Sequence, residues 1–326
     1  MTKKKHTIYI PIIRAPVEPQ RSILEPIATI LTGEPKSEEE FISTLKKADA
    51  VLLTVRNKMN REAIETCPHL KLIAKYGVGV EMIDIAAATE KGIPVINVPT
   101  VNSNAVAEFT IGLMISVMRH IQKAKEHIRK GGWQTDRLVG SELIGCTVGI
   151  IGYGDVAKGV IRKLQGFEVR KILVFTESKR HTPTDFPNVA FVDLDTLLKE
   201  SDVVSLHKTL TAKSKGLIGE RALRTMRKTS YFINTARGPI VDEKALIKAL
   251  REGWIAGAAL DVHEQEPLPQ NSPFLKMENV VLTPHIGGMT YETRRKMVTT
   301  SAQNIADFLV GKEVDRRFFV NREVLK

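Results

Sequence analysis

Short apolar runs rich in β-branched residues alternate with helical patterns along almost the whole chain of 326 residues. Such alternation is typical of parallel sheets whose strands are joined by crossover helices. The sequence therefore predicts an α/β fold, and its length favours two domains. In the first part of the chain we predict strands at residues 8–13, 50–54, 72–74 and 95–97 and helices at 38–47, 60–66 and 84–91.

A second series of apolar runs follows a long helical stretch at residues 104–129 and is sufficient for a complete doubly wound sheet. The first half of this helix is apolar on nearly every face, which indicates burial all round, either between domains or in a subunit interface. Gly131 and Gly132 end the helix. We predict strands at residues 147–151, 171–175, 203–206, 230–233, 256–260 and 280–282 and a last helix at 291–309.

The formal net charge of +11 is compatible with a nucleic acid, a membrane surface or an anionic small molecule as partner. The basic residues are dispersed, and their densest group, residues 119–130, lacks the interleaved aromatic residues of RNA-binding proteins. No apolar run approaches the roughly 20 residues that cross a bilayer. Two isolated cysteines, Cys67 and Cys146, favour a reducing cytoplasm. We therefore expect a small anionic partner, with no nucleic acid, no membrane and no metal.

A glycine-rich loop joins the predicted strand at 147–151 to a helical pattern and has the form Gly-x-Gly-x-x-Ala. Gly152 permits a tight turn, Gly154 lets the backbone approach a pyrophosphate, and Ala157 is small enough for close packing of helix on strand. The free N–H groups of the helix N-terminus then face the anion. The alternative is a tight structural turn without a ligand. The predicted contacts to a dinucleotide are Gly152, Tyr153, Gly154, Asp155 and Val156.

The end of the next strand bears on the choice between NAD and NADP, since an acid there binds the adenosine ribose of NAD. Thr176 stands at this end and carries no charge that would repel a 2′-phosphate. The following Ser178, Lys179 and Arg180 form a basic run that suits such a phosphate. The sequence therefore favours NADP over NAD. In the alternative, the basic run is a solvated loop and Glu177 binds the ribose hydroxyls.

Three later segments, residues 233–242, 259–267 and 282–288, place polar groups just after predicted strands, where ligands bind in open α/β sheets. The first contains Asn-x-x-Arg-Gly, the second Asp-Val-x-x-x-Glu-Pro and the third Pro-His-x-Gly-Gly. Together with the glycine loop, these ordered motifs resemble the D-isomer-specific 2-hydroxyacid dehydrogenase family over nearly the whole chain.

The resemblance implies that Arg237, Glu266 and His285 occupy the catalytic positions. Reduction of a 2-oxo acid needs a proton donor for the developing alkoxide, and histidine titrates near neutral pH. Glu266 would fix the tautomer of His285 and raise its pKa. Arg237 would bind the substrate carboxylate and carbonyl with its planar guanidinium group. The structural alternatives are a capped core histidine, a loop acid and a surface arginine.

The resemblance also implies further binding residues. In the first domain it assigns substrate contacts to Arg56, Val78 and Gly79, in addition to Arg237 and His285. The Asp-Asn pair that often follows the family loop is replaced by Glu81-Met82, and Thr209 replaces a proline near the cofactor. The implied cofactor contacts beyond the glycine loop are His207, Thr211, Thr235, Ala236, Asp261 and Gly287.

The family's layout implies a Rossmann cofactor domain, residues 102–288, inserted into a discontinuous flavodoxin-like substrate domain, residues 1–101 and 289–326. The cleft between them would close over substrate and exclude water. We expect a cytoplasmic homodimer joined through the helix at 104–129. The expected reaction is reduction of hydroxypyruvate or glyoxylate with NADPH.

Two alternatives remain at this point. One is D-3-phosphoglycerate oxidation, which Arg56 and the basic net charge favour. The other is a dinucleotide-sensing corepressor that binds protein partners and turns over no 2-oxo acid.

Overall fold

The computed structural model describes residues 5–11, 18–54, 57–133, 135–136, 138–177 and 186–325. The chain divides into two compact units. The split unit consists of Met1–Asn102 and Thr290–Lys326, and the inserted unit is Ser103–Met289. Within the described ranges, no helix combines the length and apolarity needed to cross a membrane.

The split unit contains a parallel sheet of five strands in the order β2-β1-β3-β4-β5, which is the flavodoxin-like order. The strands are β1 His6–Ile10, β2 Ala28–Thr32, β3 Ala50–Leu53, β4 Leu72–Lys75 and β5 Val95–Ile96. The helices before the inserted unit are α1 Gln20–Leu24, α2 Glu38–Leu45, α3 Arg61–Glu65 and α4 Ile85–Glu90.

The inserted unit contains a seven-stranded parallel sheet whose chain order reverses between β6 and β9. Its strand order is β12-β11-β10-β9-β6-β7-β8. The strands are β6 Thr147–Ile151, β7 Lys171–Phe175, β8 Val189–Phe191, β9 Val203–Leu206, β10 Tyr231–Asn234, β11 Gly257–Leu260 and β12 Val280–Leu282. The helices are α5 Ser103–Met118, α6 Ile121–Arg129, α7 Asp155–Leu164, α8 Leu194–Glu200, α9 Glu220–Thr225 and α10 Glu243–Arg251, and α11 Tyr291–Leu309 then returns to the split unit.

These two sheets confirm the predicted fold class. The central strands are continuous apolar runs because helices cover both faces of the sheet. All five residues of β6 are buried, and separate hydrophobic clusters lie on the two sides of the inserted sheet. Several helices begin at a side chain that accepts a backbone N–H, which satisfies a donor at the helix start. These caps are Ser37, Asn60, Asp84, Asp193, Asp242 and Thr290.

The prediction of one helix over residues 104–129 was wrong. The helix is divided at His120, whose φ of +54° is left-handed and incompatible with a continuous helix. Ser141 N donates to Met118 O at the end of α5, and the His120 ring lies 3.2 Å from Val139 O. A segment distant in sequence thus binds the helix end. Most of α5 is buried, whereas α6 has no buried residue.

Within the split unit, the returning C-terminal segment contacts the start of β5 through Asn321, which is 1% exposed. Its Oδ1 accepts from Val95 N at 2.7 Å, and its Nδ2 donates to Ile93 O at 3.0 Å and Thr89 Oγ1 at 3.1 Å. One amide therefore satisfies backbone groups on both sides of the start of β5. Without it, a buried N–H and a buried C=O would lack these partners.

We expect Asn321→Ala to lower the free energy of unfolding by about 2–4 kcal/mol, because it leaves buried polar groups unpaired. Chemical denaturation would measure the change. Gln303→Ala removes an exposed amide on α11 of the same unit and should change stability by less than about 0.5 kcal/mol. Equal effects of the two substitutions would show that Asn321 does not close the unit.

Candidate active site

The glycine turn after β6 has the geometry that a bound dinucleotide requires. Gly152 has a φ of +102°, and a Cβ there would lie 2.6 Å from His207 O, so only glycine fits. Among the described residues, no atom lies within 4 Å of the position of a Cβ on Gly154, so this backbone is open to an approaching ligand. Asp155 is exposed in the first turn of α7, and Tyr153 packs edge-to-face on Phe191.

A partly buried histidine with an enclosed Nδ1 lies beside this turn at the carboxyl end of β9. His207 Nε2 is 2.9 Å from Ser205 Oγ, and its Nδ1 has no hydrogen-bond partner among the described residues. Burial lowers the pKa of His207 to about 4, so the ring is neutral at pH 7. An orphaned buried nitrogen and an open glycine backbone at one sheet edge fit a dinucleotide. Thr211, farther along the same loop, bonds to Ser214 in a local turn.

Thr176 and Glu177 follow β7, at the expected position of the adenosine ribose. The Glu177 carboxylate forms an ion pair with Lys208, with Nζ and Oε2 2.9 Å apart. Lys208 was not predicted as a functional residue, since it is remote from Glu177 in sequence and no local pattern links the two. Ser178, Lys179 and Arg180 lie outside the described residues.

Asp261 organises the loop that carries His285. The aspartate is 2% exposed, and its Oδ1 accepts from Thr283 Oγ1 at 2.7 Å and Ile286 N at 2.9 Å. Its Oδ2 accepts from Gly287 N at 2.8 Å, and its backbone carbonyl accepts from His285 N at 2.8 Å. These bonds hold His285 at a φ of +56°, a conformation that non-glycine residues adopt at a cost. From the sequence, Asp261 was predicted as a cofactor contact, and its hydrogen bonds to the loop with His285 were not predicted.

His285 and Glu266 form the hydrogen bond expected from the sequence, with Nδ1 and Oε2 2.8 Å apart. This bond raises the pKa of His285, against the effects of burial and of the nearby positive charge of Arg237. Burial opposes ionisation of Glu266, but the bonds from His285 and from His263 N outweigh it and hold the pKa of Glu266 below its ordinary value. The pair therefore favours an imidazolium beside a carboxylate, with Nε2 left to face a reactant.

Arg237 follows β10 on the same edge of the sheet. Asn234 holds this turn: its Nδ2 donates to Arg237 O at 3.2 Å and its Oδ1 accepts from Ala236 N at 3.0 Å. Thr235 Oγ1 lies 3.0 Å from Thr110 Oγ1 on α5. The next residue, Gly238, packs so closely on the His263 carbonyl that any side chain would collide with it. Arg237 is thereby fixed next to the segment that carries Glu266.

In the split unit, the predicted substrate loop follows β4. Gly77 has a φ of +114°, and its carbonyl accepts from Val98 N at 2.9 Å. Val78 O accepts from Asn97 Nδ2 at 2.7 Å. In the described part of the chain, no acceptor pairs with the amides of Val78 and Gly79, so they are available to an anion. Arg56 lies outside the described residues.

A buried lysine beneath this loop was missed by the sequence analysis, which assigned it to no role. Lys75 is 4% exposed, and its one hydrogen bond to the described residues runs from Nζ to Tyr76 O, at 3.2 Å. It shares a face of β4 with Ile73, whose side chain packs in the core. Burial lowers the pKa of Lys75 from its ordinary 10.5 to about 8, although the charge of Glu81 acts in the opposite direction. A charged side chain in an apolar strand is the signal that could have identified it.

We expect Lys75→Met to raise the free energy of unfolding at pH 7 by about 1–3 kcal/mol, since the native state holds a desolvated ammonium. The unfolded chain binds this proton more tightly than the native protein, so wild-type stability rises between about pH 8 and 10.5 and the gain from Met shrinks. Denaturation at several pH values would test this. Lys47→Met, at an exposed lysine, serves as the control, and an unchanged stability for Lys75→Met would contradict the prediction.

A family model described as "D-isomer specific 2-hydroxyacid dehydrogenase, NAD binding domain" matches residues 111–287, more than half of the chain. The match includes the glycine turn and the Arg237, Glu266 and His285 segments. The chain therefore belongs to the D-isomer specific 2-hydroxyacid dehydrogenase family, whose members are oxidoreductases that transfer hydride between a nicotinamide cofactor and a small 2-hydroxy or 2-oxo acid.

Among curated proteins, the chain is 44% identical over 317 residues to a glyoxylate reductase of Thermofilum pendens, covering 95% of this chain and 93% of that protein. It is 37% identical over 290 residues to a D-3-phosphoglycerate dehydrogenase of Methanocaldococcus jannaschii, covering 89% of this chain and 55% of that protein. Among solved structures, D-lactate dehydrogenase from Aquifex aeolicus complexed with NAD and lactic acid has a TM-score of 0.86 at 27% identity, covering 97% of this chain and 99% of that one.

Proposed function

We propose that this protein reduces small 2-oxo acids, with glyoxylate or hydroxypyruvate as the best substrate and NADPH as the preferred cofactor. The observation that carries the proposal is the Glu266–His285 hydrogen bond, whose geometry and charge prepare a proton donor on the sheet edge that also holds Arg237. The 44% identity to a glyoxylate reductase supports the choice of substrate.

Each of the three side chains has a separate task. Glu266 occupies Nδ1 of His285, so His285 donates its Nε2 proton to the oxygen of the reduced carbonyl. The guanidinium of Arg237 binds the carboxylate and the carbonyl oxygen, which orients the carbonyl carbon and stabilises the charge on the oxygen. When bound, the nicotinamide supplies the hydride. In the oxidation direction, neutral His285 accepts the hydroxyl proton at the same nitrogen.

The remaining sequence-predicted residues complete the two binding regions. The amides of Val78 and Gly79 bind the substrate carboxylate, and Arg56 contacts larger acids. The glycine turn binds the pyrophosphate, and Asp261, Thr235, Ala236 and Gly287 surround the nicotinamide. His207 and Thr211 lie on the loop beside the dinucleotide. Lys179 and Arg180 bind the 2′-phosphate, and Glu177 binds the ribose when the cofactor is NADH.

The protein acts as a homodimer in the cytoplasm. Helix α6 has no buried residue, and apolar side chains on it and after it are exposed, which suits a subunit interface. Light scattering should give twice the mass of one chain. The two free cysteines, Cys67 and Cys146, suit a reducing compartment. The exposed apolar side chains of this surface are Ile121, Ile128, Trp133, Val139 and Ile144.

A second candidate function is oxidation of D-3-phosphoglycerate, which the relative in Methanocaldococcus jannaschii favours. The 2-hydroxy acid carries the same reacting atoms, so the three side chains would have the same tasks. A phosphate binder in the split unit would distinguish the two substrates. Arg56 is the candidate for that group from the sequence.

The test is the loss of NADPH or NADH absorbance when purified protein is mixed with glyoxylate, hydroxypyruvate or phosphohydroxypyruvate. We expect the fastest turnover with NADPH and one of the first two acids. His285→Ala should lower kcat by roughly two to four orders of magnitude while cofactor affinity is retained. Faster turnover of phosphohydroxypyruvate would favour the second candidate, and cofactor binding without any turnover would point to a dinucleotide sensor.

Glu266→Gln should move the pH profile of reduction to lower pH. Reduction needs protonated His285 and declines as pH rises through the pKa of His285, which Glu266 raises. Without the carboxylate this pKa falls, so activity is lost at a lower pH. The measurement is kcat/KM against pH, with Glu264→Gln as a control that removes an exposed carboxylate two residues away. Identical profiles for wild type and Glu266→Gln would rule out this role of Glu266.

A further inference from the structure

The ion pair between Lys208 and Glu177 joins the loops after β9 and β7, beside the expected adenosine ribose. The Lys208 side chain is 16% exposed, whereas that of Glu177 is 52% exposed, and their charged atoms are 2.9 Å apart. The Lys208 side chain is therefore largely enclosed by protein, whereas the Glu177 side chain reaches into solvent and can move more easily.

The backbone of Lys208 is fixed by the glycine turn. A Cβ on Gly152 would lie 2.6 Å from His207 O and 3.0 Å from Lys208 N, so the turn and the loop after β9 are in direct contact. Gly152 N also donates to Phe175 O, the last residue of β7. The same turn that approaches the pyrophosphate therefore holds both the cation and the strand that leads to Glu177.

Glu177 lies one residue past Thr176, next to the position where dinucleotide folds place the acid that binds the ribose hydroxyls. An uncompensated carboxylate there would repel a 2′-phosphate, which carries about −1.5 to −2 charges at neutral pH. Lys208 removes that repulsion by pairing with Glu177. The Glu177 carboxylate that contacts the Lys208 ammonium is, like a phosphate, a negatively charged hydrogen-bond acceptor. A phosphate can therefore take its place on Lys208.

We propose that Lys208 is a specificity-determining residue for the cofactor: it pairs with Glu177 when the ribose is unphosphorylated and with the 2′-phosphate when the cofactor is NADPH. The inference rests on the proposed function and adds to it a residue that exchanges one anion for another. Glu177 moves aside because a half-exposed ion pair is weak. Lys208 stays in place because its side chain and backbone are enclosed.

If Lys208 exchanges Glu177 for the 2′-phosphate, substitutions of Lys208 and of Glu177 should have opposite effects on NADPH binding. Lys208→Met should weaken NADPH binding by about 10- to 100-fold, the range of a charge-assisted hydrogen bond, and change NADH binding by less than about 3-fold. Glu177→Gln should tighten NADPH binding, because it removes the competing anion, and weaken NADH binding. Lys208→Arg retains the cation and should preserve the preference for NADPH.

The experiment is a titration of the full-length protein with NADPH and with NADH, followed by the fluorescence of the reduced nicotinamide in the absence of any 2-oxo acid. Lys171→Met is the matched control. It removes a lysine that pairs with Glu200 at 3.2 Å at the opposite end of β7, and it should leave both dissociation constants unchanged.

An unchanged ratio of the two dissociation constants in Lys208→Met would overturn the inference, as would equal weakening of both cofactors. A wild-type ratio of the two dissociation constants in Lys208→Arg would support the inference. It would also show that the loss of NADPH binding in Lys208→Met comes from the lost charge and not from misfolding. Failure of wild type to bind either nucleotide would overturn the proposed function and the inference together. Wild-type turnover with an unchanged ratio in Lys208→Met would overturn the inference alone.

Discussion

Parallel pairing in the inserted unit directs the carboxyl ends of all seven strands to one edge of the sheet. The glycine turn, Thr176, His207, Arg237, Asp261 and the loop with His285 each follow a different strand, yet they meet along this edge. Close contacts between loops then fix their relative positions. Gly152 touches the backbone of residues 207 and 208, and Gly238 touches the carbonyl of His263, so a side chain at either glycine would separate two loops of the site.

The charged side chains of this site differ in burial and in the number of hydrogen bonds that hold them. Asp261 is buried with hydrogen bonds to both carboxylate oxygens, which makes it a rigid support for the strained backbone at His285. Glu266 and His285 are partly exposed, so a proton can enter and leave. In the split unit, the Lys75 side chain is buried, and its ammonium has the Tyr76 carbonyl as its one hydrogen-bond partner among the described residues.

The sequence predicted the central strands well because these depend on local patterns. Strands β6, β7 and β9 are apolar on both faces and were predicted to the residue. The strands β2 and β8 were missed: β2 has exposed residues, and β8 is a three-residue strand at the sheet edge with no fully buried residue. The division between α5 and α6 depends on contacts with Ser141 and Val139. The position of the Lys208 ammonium likewise depends on its ion pair with Glu177. Contacts between residues that are distant in sequence produce no periodic pattern of apolar residues, so the sequence alone does not predict them.

The closure of the split unit by Asn321 has a consequence for synthesis of the chain. Asn321 bonds to Val95 across 226 residues, and α11 lies between the inserted unit and this residue in the chain. A ribosome therefore completes all of the inserted unit before the split unit can acquire its last buried hydrogen bonds. The inserted unit is contiguous and can fold as it emerges. The first hundred residues, although made earliest, remain an incomplete core until the segment with Asn321 is released, and during that interval the edge of β5 lacks its hydrogen-bond partners.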